Sequence, residues 1–126
     1  MDKLDEIFRL QQSFNQSLKD ERALNGIPPE EWIQKQVLAT ISELAEVLDE
    51  ARFKWWKNNP PVQPEKLKGE LVDVLHFFVS MCLEAGMDAS ELHALYLAKN
   101  RVNFERQKGL WGKDYQNGAN GAAPQG

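Results

Sequence analysis

An all-α fold, built as a four-helix bundle, is what this sequence predicts, and three observations carry the prediction. Apolar residues recur at three- and four-residue spacing in four separate segments. Period-two alternation, the mark of half-buried strands, is almost absent. Proline, glycine and asparagine punctuate the gaps between the segments.

The first helix is expected from about Leu4 to Leu18, where Leu4, Ile7, Phe8, Leu10, Phe14 and Leu18 build an apolar stripe with Leu10 off its centre. Asn25-Gly26 and Pro28-Pro29 form the connector. The second helix is expected from Pro29 to about Trp56, with Val37, Leu38, Ile41, Leu44, Ala45 and Leu48 on its apolar side. Glu30 and Glu31 suit its N-terminus, where the helix dipole is positive, and Asn58-Asn59-Pro60-Pro61 stops it. The third runs from about Glu65 to Ala85 with Leu67, Leu71, Val74, Leu75, Phe78, Val79 and Cys82 on its apolar face, and Gly86 as its stop. The fourth begins at Asp88, with Glu91 in a capping-box-like position, and continues to about Lys108, where Gly109 ends it. The second and third are long enough to form the centre of the bundle. Residues 1–112 are expected to form the domain, and the Gly-rich, small and polar residues 113–126 a disordered tail.

A chain of 126 residues holds one domain and a modest core. Apolar residues are 42 % and charged residues 27 %, a soluble globular balance, and no apolar stretch is long enough to cross a bilayer. The acidic start MDKLDEIFRL lacks an apolar signal core, so a cytoplasmic protein is expected. The only cysteine, Cys82, excludes an intrachain disulfide and reads as a small core residue. The net charge of −4 without a Lys/Arg block argues against nucleic acid as a partner. An acidic protein that binds an anion needs a metal or a few placed cations between the two. Trp32, Trp55 and Trp56, read as exposed, invite self-association.

The chemistry is carried by paired carboxylates. Glu43-Leu-Ala-Glu46 lies in the second helix and Glu70-Leu-Val-Asp73 in the third. Spacing of i, i+3 puts both acids of a pair on one helix face, about 5–6 Å apart at Cβ. One such pair is common on any solvated helix; two pairs on adjacent helices can gather four hard oxygen donors, which suit Mg²⁺ shared with phosphates. A solvated pair of faces is the alternative reading.

With these residues in place the sequence resembles the all-α NTP pyrophosphohydrolases, the group of MazG-like proteins, dCTP pyrophosphatases and dimeric dUTPases. Glu43 to Glu50 followed by Phe53-Lys54-Trp55-Trp56 is similar to the dimeric dUTPase pattern ELxELxNE then FKxW. Val72-Asp73-Val-Leu-His76-Phe77 resembles its DxLHF segment, Tyr96 to Gln107 its YxxKNxxNxxRQ segment, and Leu10-Gln11-Gln12-Ser-Phe-Asn15 its LQxxxN segment. Asp49 stands where that pattern has Asn. The resemblance implies a homo-oligomer, dimer or tetramer, that converts dUTP, and also dUDP, to dUMP by water attack at the α-phosphorus. It implies Glu43, Glu46, Glu70 and Asp73 as ligands of Mg²⁺, with Mn²⁺ as a substitute, and Glu43 and Glu46 as the catalytic carboxylates, Glu43 taking the proton of the water. It places Lys99 and Arg106 on phosphate oxygens, Gln12, Asn15, His76, Phe77 and Asn103 at the deoxyuridine, and Lys54 or Trp55 as its closure. Read without the resemblance, His76 is a helix-packing histidine and Lys99 and Arg106 are solvated charges near Glu105. A MazG-like or dCTP-type preference is the rival within enzymes, and a non-catalytic helical binding dimer the rival outside them.

Overall fold

Four helices are the regular elements of the computed structural model, which describes residues 1–109: α1 (Lys3–Glu21), α2 (Pro29–Glu50), α3 (Pro64–Glu84) and α4 (Ala89–Gln107). No strand occurs among the described residues. The chain divides into two compact units, Met1–Asp88 and a second that begins at Ala89. The expected tail from residue 113 lies outside the described residues. No helix of the described residues is long and apolar enough to cross a membrane.

The helix ends follow local chemistry. Asp2 caps α1 through a capping box: its carboxylate accepts from Asp5 N–H at 2.8 Å, and the Asp5 carboxylate accepts from Asp2 N–H at 3.2 Å. Prolines at the first turn start α2 and α3, where no backbone donor is needed. The helices α1, α2 and α3 end in the same way, with one residue in the left-handed region: Ala23 (φ 54°), Arg52 (φ 59°) and Gly86 (φ 81°). The next N–H then returns to the third-last helical carbonyl, as Leu24 to Lys19 (2.8 Å), Phe53 to Leu48 (3.3 Å) and Met87 to Cys82 (2.9 Å). This cap closes α2 at Glu50, a turn and a half before the expected end near Trp56. Trp55 and Trp56 therefore sit in a turn, edge to face at 4.6 Å.

In the first unit, α3 is the helix on which both α1 and α2 pack. Val79 is wholly buried, and Cys82 and Phe8 are buried with it in the small core. Burial pushes the Cys82 thiol up, so it stays protonated and unreactive. No residue of α2 is buried; Leu38, Ile41, Leu44 and Leu48 are exposed. Lys19 ties the three helices together: its Nζ lies 2.6 Å from Glu84 Oε1 of α3 and 5.2 Å from the Trp32 ring centre of α2. Trp32 is thus half-buried rather than exposed as expected.

Candidate active site

The acidic motif is positioned by the packing of α2 on α3. Glu43 reaches across to Glu70 and Asp73, and one carboxylate oxygen from each lies within 4.8 Å of the others. Glu43 and Glu70 are half-buried, whereas the Asp73 side chain is 50 % exposed. The Glu70 carboxyl is raised above the ordinary range, first by burial and then by the charges of Asp73, Glu43 and Glu46, with a hydrogen bond to Glu43. Three hard oxygen donors that repel one another, with open sides, fit a divalent cation. Glu46 is exposed; it acts on Glu70 through its charge but supplies no oxygen to the trio.

A cavity of about 850 Å³ opens beside the trio between α1, α2 and α3, and Glu43 and Asp73 stand in its wall. Its other walls are mostly apolar, with Leu10 and Phe14 of α1 facing Val72, Leu75 and Phe77 of α3. Leu10 and Phe14 are at helical spacing, as are Val72 and Leu75, so one face of each helix supplies them, whereas Phe77 reaches the wall from further around α3.

The polar groups of the cavity are ordered by a chain of hydrogen bonds. The Ser80 hydroxyl donates to the His76 carbonyl one turn back, at 2.9 Å. A carbonyl only accepts, so the single hydroxyl hydrogen is committed there, and the Ser80 oxygen accepts from Asn15 Nδ2 at 3.0 Å. Asn15 Oδ1 in turn accepts from Gln11 Nε2 at 2.9 Å. The orientation of both amides follows from the serine.

The residues expected at the site are distributed as follows. Asn15, His76 and Phe77 line the cavity. His76 is exposed and its Nδ1 lies 4.0 Å from Asp73 Oδ1. Gln12 does not line it: Gln12 is exposed and lines an open depression with Arg9 and Gln16. Gln11, one residue earlier and 100° around the helix, is the buried glutamine in the cavity wall. Lys54 and Trp55 do not line it either. They follow the end of α2, with Lys54 Nζ 5.9 Å from the Phe53 ring and Trp55 83 % exposed. Lys99, Asn103 and Arg106 lie in the second unit, on one face of α4, Lys99 and Asn103 exposed and Arg106 half-buried.

Sequence reasoning assigned no role to two polar wall residues, Gln36 and Ser80, and named Gln12 rather than its neighbour Gln11 for the base site. A signal existed for Gln11: it continues the stripe Leu4, Phe8, Gln11, Asn15, Leu18 at 3-4 spacing, whereas Gln12 falls outside it. Gln36 and Ser80 become cavity residues only through the packing of α1 and α2 on α3.

Comparison with known proteins bears on this arrangement. Residues 3–91 match the sequence profile of a family described as dUTPase. The chain is 34 % identical over 87 residues to the dCTP pyrophosphatase of Enterobacteria phage T4, covering 58 % of this chain and 51 % of that protein. It is 32 % identical over 74 residues to the dCTP pyrophosphatase of Enterobacteria phage LZ5, covering 59 % of this chain and 43 % of that protein. The chain spans about half the length of these curated relatives. No solved structure matches it at a significant level.

Proposed function

The chain belongs to the dUTPase family, and from that premise we propose that it is a divalent-metal-dependent nucleoside triphosphate pyrophosphohydrolase acting on a pyrimidine deoxynucleotide, dUTP first. One observation carries the reading. Glu43 and Asp73 belong at once to the carboxylate trio and to the wall of the apolar cavity. A nucleotide whose base enters the cavity therefore has its phosphates beside the acids.

Glu43, Glu70 and Asp73 hold Mg²⁺, or Mn²⁺ in its place, and Glu46 completes the charge of the ligand set. When bound, the cation neutralises phosphate charge and polarises a phosphoryl oxygen. Glu43 orients a water and takes its proton as the oxygen bonds to the α-phosphorus. The bond from that phosphorus to the bridging oxygen breaks, and the monophosphate and pyrophosphate leave. Asn15 and Gln11, held in one orientation, present fixed donor and acceptor groups to the base, and Phe77 packs against it. Lys99, Asn103 and Arg106 keep the substrate-binding roles that the family resemblance gives them. A cytoplasmic homodimer or tetramer completes the reading.

A second substrate, dCTP, is favoured by the two phage relatives, both dCTP pyrophosphatases. The test is a panel of dUTP, dUDP, dCTP, dTTP, dATP, dGTP and UTP with Mg²⁺, the products resolved by chromatography. Release of dUMP from dUTP and dUDP is the expected result. Release of dCMP from dCTP instead keeps the hydrolase and replaces the base. Turnover of no nucleotide with Mg²⁺ or Mn²⁺ moves the non-catalytic binding protein to first place.

A further inference from the structure

Gln36 is a wall residue of the cavity that neither the carboxylates nor the Asn15 hydrogen-bond chain uses. Its carboxamide oxygen is buried and has no hydrogen-bond partner, whereas its backbone carbonyl accepts from the Thr40 hydroxyl at 2.7 Å. A buried acceptor without a partner is unfavourable unless something in the cavity donates to it. Its place on α2 is informative. Gln36 precedes Glu43 by seven residues, two turns of the same helix, so both face the cavity about 10.5 Å apart along the axis. With the phosphates beside Glu43, that separation is of the order of the reach of a nucleotide from its phosphate to the pairing edge of its base.

We infer that Gln36 is a specificity-determining residue whose carboxamide turns toward the cavity and accepts a hydrogen bond from a ring or amino N–H on the pairing edge of the pyrimidine. Uracil offers its N3–H and cytosine its exocyclic amine. The inference rests on the nucleotide-hydrolase reading above. It also explains the orphaned acceptor: the free protein carries an unfavourable group that the substrate satisfies, so the hydrogen bond favours binding more than one already satisfied by the protein.

Gln36→Met tests it, because methionine has similar length and no acceptor. Removing an orphaned polar atom leaves the Tm of the free protein unchanged or higher. Removing the base contact raises KM for the preferred pyrimidine triphosphate about tenfold, the equivalent of one hydrogen bond in a buried site, while kcat changes less than about threefold. Gln36→Glu, which restores an acceptor oxygen, recovers part of the KM. An unmodified protein that hydrolyses dUTP or dCTP and a Gln36→Met protein whose KM stays within about twofold would overturn this inference and leave the hydrolase reading intact. A Gln36→Met protein with a lowered Tm and with kcat and KM worsened together would assign Gln36 to packing and likewise overturn it. An unmodified protein without turnover on any pyrimidine nucleotide would remove the hydrolase reading, and the inference with it.

Discussion

Replacing Ser80 by alanine probes how the fold orders the cavity. Ser80 is 2 % exposed, and its oxygen is the acceptor that fixes the Asn15 amide. In Ser80→Ala the His76 carbonyl keeps its helical partner, so nothing on α3 is left unsatisfied. The loss falls on Asn15 Nδ2. An amide donor left without a partner costs about 1–3 kcal/mol when buried; Asn15 is only half-buried, which points to the lower part of that range, about 1.5 kcal/mol. Alanine recovers roughly 0.5 kcal/mol of helix propensity over serine. The net loss is then about 1 kcal/mol, a fall in Tm of roughly 4–8 °C for a unit of this size. Urea unfolding of Ser80→Ala, Asn15→Ala and the double variant measures it. The two substitutions remove one shared bond, so the double variant loses less than the sum of the singles by about 0.5 kcal/mol or more. Strict additivity, or a Ser80→Ala protein as stable as the unmodified one, would refute the idea that this serine orders the amides.

The remaining predictions concern the helix tie, the acids and the two glutamines. Lys19→Met leaves Glu84, whose side chain is 14 % exposed, without its partner and frees the Trp32 ring; a loss of about 2 kcal/mol is expected, with coupling to Glu84→Gln visible in a double-variant cycle. The raised Glu70 carboxyl sets a pH dependence for the metal-free protein. A group whose folded value is raised contributes its full stabilisation below its unfolded value and loses it as the pH rises through the folded one, so Tm in EDTA falls across the range just above the ordinary value of 4.5. Glu70→Gln removes that part of the slope, and identical Tm–pH curves for the two proteins would count against the cluster. Mg²⁺ at a hundred times its Kd stabilises the native fold by about 2.7 kcal/mol, and Asp73→Asn abolishes most of that gain in calorimetric melting. Gln11→Ala raises KM for the nucleotide more than Gln12→Ala does, since only Gln11 lines the cavity; steady-state kinetics that reverse this order would relocate the base.

The sequence by itself determined the all-α class, the four helices and the acid pairs. Each is a local property: apolar spacing, proline and glycine stops, and i, i+3 geometry are read within one or two turns. The early end of α2 was not legible, because Arg52 in the left-handed region carries no glycine to announce it, unlike Gly86 at the end of α3. Only the tertiary structure decided which carboxylates meet. Glu43, Glu70 and Asp73 converge while Glu46, equivalent by spacing, stays exposed, because the rotation of α2 against α3 selects one acid of its pair. The same packing chose Gln11 over Gln12 and turned Gln36 and Ser80 into cavity residues. Spacing gives the face of a helix; which neighbour that face meets depends on contacts between residues far apart in the chain, which no local pattern contains.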